Sequence, residues 1–200
     1  VLLRAAEAGR GYLVDTCLLD EVADMADGYQ VRSGDAEVPG TGVTVARDWL
    51  ARLQRLPSSS GARTLFASPD VLGAQQAGNT DALGWAEAAT DEVEILDDLP
   101  LVALPASGVL TQDGYAALAA ADIEGVVATN GVRAGAWQSG AAGVGVVSAS
   151  ATLAAAETTP TLDQQQQLQA EAVIAGRAGQ VRLITDPSQL GLDAATMAHL

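Results

Sequence analysis

The chain has 200 residues, 48% of them hydrophobic and only 4% aromatic, a composition that supports one folded domain with a core of small side chains and excludes a disordered chain. Its formal net charge is −15, and all ten basic residues are arginines. That acidity argues against nucleic acid and anionic membrane surfaces as partners, because phosphates demand positive charge opposite them. Cys17 is the only cysteine, so an intrachain disulfide and a cysteine-rich zinc site are both excluded.

Val1–Ala8 reads as the end of a helix stopped by Gly9. Tyr12-Leu13-Val14 is a short buried strand, followed by Asp15 and a helix. Leu18, Val22 and Met25 recur there at helical spacing, with Leu19 and Ala26 widening the stripe and Gly28 closing it. Cys17 falls in this apolar pattern and is expected to be a buried thiol. Arg32 to Gly42 reads as a Gly- and Pro-containing loop. Thr41 or Thr44 caps the next helix, whose apolar face is Val45, Trp49, Leu53 and Leu56, widened by Ala46 and Leu50. Pro57 and Ser58–Ser60 end it.

Thr64–Ala67 is the second predicted strand, with Ser68 as cap and Pro69 in the first turn of a short helix ending at Gly78. Thr80–Asp91 is a further helix. Leu101–Leu104 is the third strand, Gln112–Ala121 a helix and Gly125–Thr129 the fourth strand. Asn130 to Gly145, containing Trp137, reads as a mobile Gly-rich loop, and Val144–Ser148 as the fifth strand. A long Gln-rich helix begins at Thr161 or Asp163 and runs to about Arg177. Val181–Thr185 is the sixth strand, ended by Asp186-Pro187, and Asp193–Leu200 is a final helix.

Apolar strands alternating with helices predict an α/β fold with parallel strands covered by helices. A closed barrel usually needs about 250 residues, so a barrel fits if its first strand lies upstream of Val1. An open doubly wound parallel sheet is the alternative. No G-x-G-x-x-G or P-loop follows any strand, which removes the usual nucleotide signatures and leaves no cofactor expected.

In such folds functional residues gather at the carboxyl ends of strands, which nominates Asp15, Asp70, Asn130 and Asp186, with Trp137 in the adjoining loop. Two convergent carboxylates, Asp15 and Asp70, are the candidate catalytic pair for glycoside hydrolysis. Helix starts account for the same acids: Asp15 or Thr16 caps the helix beginning near Leu18, Asp70 lies in the first turn of a Pro-started helix where an acid favours the dipole, and Asp186 before Pro187 is a natural cap or turn residue. The single histidine, His199, stands next to the end of the chain, so no metal site is expected, and a serine or cysteine hydrolase lacks a plausible base. The acids around Cys17 would raise its pKa rather than activate it.

VDTCLLDEVADMADGYQV, the later DWLARL, FASPDV, LPASG and QQQLQAEAVIA together resemble an uncharacterised family of actinobacterial exported, membrane-anchored envelope proteins encoded near the lipid II flippase. The family's Asp-Pro at the first strand end is Asp15-Thr16 here, and its Asp-x-Asp is reduced to Ser68-Pro69-Asp70. The resemblance implies an extracytoplasmic, cell-envelope location and one α/β domain of a larger protein. It also implies an irregular (β/α) barrel of about seven strands, distantly similar to polysaccharide deacetylases and glycosidases. The deacetylase metal set needs two histidines at helical spacing, which this sequence lacks.

The expected function is a non-catalytic interaction or scaffolding domain in cell-wall assembly, with a cell-wall glycan or envelope protein as partner and the membrane reached only through segments outside this chain. The alternative is a metal-free carbohydrate-active hydrolase using strand-end carboxylates.

Overall fold

The computed structural model describes residues 2–128, 132–134 and 143–148. Helix α1 (Leu2–Glu7) leads into β1 (Tyr12–Asp15) and α2 (Thr16–Asp27). A hairpin, β2 (Gln30–Ser33) and β3 (Ala36–Pro39), joins α2 to α3 (Val43–Leu53). After a 3-10 turn come β4 (Gly61–Thr64), α4 (Val71–Gln76) and α5 (Thr80–Asp91). β5 (Val102–Ala103), β6 (Gly108–Leu110), α6 (Gln112–Ala120), β7 (Gly125–Ala128), β8 (Val132–Ala134) and β9 (Gly145–Ser148) complete the described elements.

The fold is mixed α/β with parallel strands. β1 pairs with β4, with Asp15 opposite Thr64. Arg63 bridges to Leu101, joining β4 to the β5 segment. β5 then pairs with β7, and β7 with β9, all parallel. Among the described strands the order β1-β4-β5-β7-β9 therefore follows the chain without reversal. Because parallel crossovers are right-handed, a sheet wound in one direction carries its helices on one face. Val14 and Tyr12 pack with Leu3, Ala6, Leu53 and Leu56 of α1, α3 and the turn after it. Ala103, Val126 and Val132 pack with Leu72, Leu83, Tyr115 and Leu118 of α4, α5 and α6. Side chains alternate along a strand, so Leu13, Ala62, Val102 and Val127 lie on the opposite face, where they are half-buried.

Arg63 stands beside Val14 on the helix-covered face and is buried. Its guanidinium donates to the carbonyls of Val93 (3.5 Å) and Asp97 (3.2 Å), while its own N–H donates to Pro100 O at 3.0 Å. The segment between α5 and β5 is thereby tied to β4.

Several expectations need correction. The second strand is Gly61–Thr64, not Thr64–Ala67, because Ala67 and Ser68 adopt left-handed backbone (φ 58° and 43°) and Ser68 N–H closes a turn on Leu65 O. The same turn disqualifies Ser68 as a helix cap. No side chain caps α3; neither Thr41 nor Thr44 serves, and Gly42 holds the cap position. Val45 is 72% exposed, since the buried face of α3 runs through Ala46 and Leu53. In α2 the buried residues are Thr16, Leu19 and Ala26, which turns Leu18 outward. The predicted loop Arg32–Gly42 contains most of the hairpin β2–β3, and β8 lies inside the predicted loop 130–145. The predicted strand Val181–Thr185 and the helices around it fall outside the described residues.

Candidate functional site

Asp15 is the last residue of β1 and the N-cap of α2. Its backbone is extended, and its Oδ1 accepts the Cys17 N–H at 2.9 Å, satisfying one of the donors a helix start leaves open. Thr16, fully buried, donates its hydroxyl to the carbonyl of Thr64, locking the ends of β1 and β4 together. A proline at this position could not make that bond.

Asp70 is reached differently. β4 ends at Thr64; Leu65 is buried, the Phe66 N–H donates to Thr90 Oγ1 (2.8 Å), and the chain then makes its left-handed turn at Ala67-Ser68. Thr90 in turn donates to Ala86 O at 2.6 Å, so α5 holds this turn in place. Asp70 Oδ1 accepts the Gly73 N–H at 3.1 Å and caps α4. Both candidate catalytic acids therefore direct a carboxylate oxygen to the start of their own helices.

Beyond the end of β4 lies a crevice lined by Thr64, Ser68, Pro69, Val102 and Ile123, packed so closely that it has no water-sized space; neither Asp15 nor Asp70 lines it. The Thr64 hydroxyl is buried there without a hydrogen-bond partner. Thr64 is a polar residue that sequence reasoning missed, because the predicted strand Thr64–Ala67 puts it at the amino end, and Thr16, a candidate cap, serves instead as a donor to the neighbouring strand. β6 and β8 form a second parallel pair on the segments leaving the carboxyl ends of β5 and β7, with Gly108 opposite Val132. Gly108 has φ 129°, and a side chain there would press on Gln76 and Leu72 of α4. The LPASG stretch thus packs the exit of β5 onto α4.

Cys17 is half-buried rather than fully enclosed, with its thiol 3.9 Å from Glu21 Oε1. Desolvation first, then the charges of Glu21, Asp15 and Asp20, push its pKa up, which is opposite to the activation a nucleophile needs. Among the described residues, no group of His, Cys, Asp and Glu side chains is arranged to hold a metal ion. Among them, too, no helix is long and apolar enough to cross a membrane. Asn130, Trp137, Asp186 and His199 lie outside the described residues.

The chain matches no family model, no curated protein and no solved structure.

Proposed function

We propose that the chain is a non-catalytic interaction or scaffolding domain of an actinobacterial exported, membrane-anchored cell-envelope protein, acting in cell-wall assembly. It binds a cell-wall glycan or an envelope protein at the carboxyl-end face of its strands. The observation that carries this reading is the double capping. A glycosidase needs two carboxyl groups flanking one bond, about 5 Å apart for retention or about 6.5–9.5 Å for inversion. Here Asp15 and Asp70 are each held by a backbone N–H of a different helix, α2 and α4. The same reading includes the irregular (β/α) barrel. Its support is the strand order, which runs β1-β4-β5-β7-β9 without the reversal that marks a doubly wound sheet.

The test is incubation of the purified chain with insoluble cell-wall glycan, measuring sedimented protein and released reducing ends in the same tubes. The expected result is co-sedimentation without release of reducing ends. Release of reducing ends that disappears in Asp15→Asn would replace this reading with the metal-free hydrolase.

A further inference from the structure

The hairpin β2–β3 stands apart from the helix-covered sheet. All of its strand residues are exposed. Its register sets Val31 opposite Val38, Arg32 opposite Glu37 and Gln30 opposite Pro39 around the two-residue turn Gly34-Asp35. Gly34 has φ 64°, the left-handed start that such a turn requires. The Gly40 N–H donates to Tyr29 O at 2.8 Å, which identifies 29/40 as a hydrogen-bonded pair. Bonded and non-bonded pairs alternate along an antiparallel ladder, so 31/38 and 33/36 are also bonded and 30/39 and 32/37 are not. The unused main-chain groups of β2 therefore belong to Gln30 and Arg32 and point outward. On β3 they belong to Glu37 and Pro39, and Pro39 has no N–H to offer. β2 is the edge competent to accept another strand; β3 is blunted.

An isolated two-stranded ribbon is marginal in water, and this one leaves Val31 43% and Val38 41% exposed on a single face, together with Ser33 and Ala36. We propose that β2 pairs antiparallel with β2 of a second copy of this chain, about a two-fold axis at Val31. Gln30 then meets Arg32 of the second copy, and Arg32 meets its Gln30, each pair exchanging both main-chain hydrogen bonds. The two hairpins become one four-stranded sheet with an unbroken valine row, Val38-Val31 of one copy against Val31-Val38 of the other. On the opposite face each Arg32 lies between its own Glu37 and a neutral glutamine, so no like charges stand directly opposite. A second copy is the occupant favoured because the same strand supplies both sides of this match. Only β3 edges remain afterwards, so the assembly closes at two. The contact is small, and each chain carries a net charge of −15, so the dimer is weak and strengthens as salt screens that repulsion.

Sedimentation velocity of the full chain, from micromolar to millimolar and at about 0.05 M and about 0.5 M salt, tests the pairing. We expect a reversible dimer favoured by high salt. Arg32→Pro removes an outward N–H without touching the hairpin's own bonds, and should raise the dissociation constant at least about tenfold. Val31→Lys, which sets two ammonium groups against each other, should do the same. In the background Cys17→Ser, a cysteine replacing Val31 should cross-link under mild oxidation, whereas one replacing Glu37 should not. A monomer under every condition, or a dimer indifferent to both Arg32→Pro and Val31→Lys, overturns the proposal.

Discussion

Two strand-to-helix turns in this molecule use the same residue for the same purpose and are built differently. At the first, the cap Asp15 is still part of β1, in register with Thr64, and Thr16 ties it to the neighbouring strand. At the second, Leu65–Pro69 intervene between the end of β4 and the cap Asp70, and two of them take left-handed backbone. Asp15 is thus a sheet residue that caps a helix, while Asp70 belongs to its helix alone. Identical side chains at corresponding places in successive β-α units need not form a pair: sheet register fixes one, and a loop conformation carries the other.

The largest expected effect falls on the bond that distinguishes the first turn. Thr16→Val keeps the shape but leaves the Thr64 carbonyl without its buried donor, and should cost about 1–3 kcal/mol in denaturant unfolding. Thr16→Ser should restore most of it, and equal losses in both variants would mean that packing rather than the hydroxyl joins the strands. Next come the caps: Asp15→Ala and Asp70→Ala should each cost about 1 kcal/mol. Hydrogen exchange separates them, because Asp15→Ala should quicken exchange in both α2 and β4 and Asp70→Ala in α4 only. If both disturb β4 alike, the contrast fails.

The smallest effect concerns the exposed pair in which Arg52 donates to both Glu7 oxygens, at 2.7 and 2.6 Å, joining α3 to α1. That hydrogen bond is the main cause holding the Glu7 carboxyl below its ordinary pKa. A depressed folded pKa adds stability above the unfolded value and loses it as pH falls through the folded one. The stability gap between wild type and Glu7→Gln should therefore narrow on acidification, and a gap constant with pH would show the pair contributing nothing.

Helix α5 is legible at both ends, Thr80–Asp91, despite Gly84 in its interior; its start follows Asn79, whose side chain caps it by accepting the Ala82 N–H. β4 lies ahead of the predicted strand because an apolar run does not by itself mark a strand. Leu65 and Phe66 are apolar for another reason: within one turn they feed the two separate cores, while the strand itself is the unpromising Gly-Ala-Arg-Thr. The hairpin escapes a periodicity reading because an exposed ribbon lacks the buried face on which period-two patterns rely; Gly34-Asp35 between alternating residues is its only signal. β6 and β8, three residues each, are too short for any periodicity. At the site, the capping role of Asp15 follows from its position between strand and helix, whereas Asp70 takes the cap expected of Ser68 because the left-handed turn at Ala67-Ser68 delays the helix start. The hydroxyl of Thr16 could not be foreseen, because its acceptor lies 48 residues away.

The order of the sheet also bears on how the chain is made. In the series β1-β4-β5-β7-β9 each strand after the first pairing docks on the edge left by the one before it, so these pairings can form in the order in which the strands emerge. The first unit, β1 with β4, can close once Thr64 has emerged, and Arg63 then receives the segment up to Pro100 as soon as it follows. Growth of this kind adds one fresh edge at a time to this series, which limits the unpaired strand surface through which nascent chains aggregate.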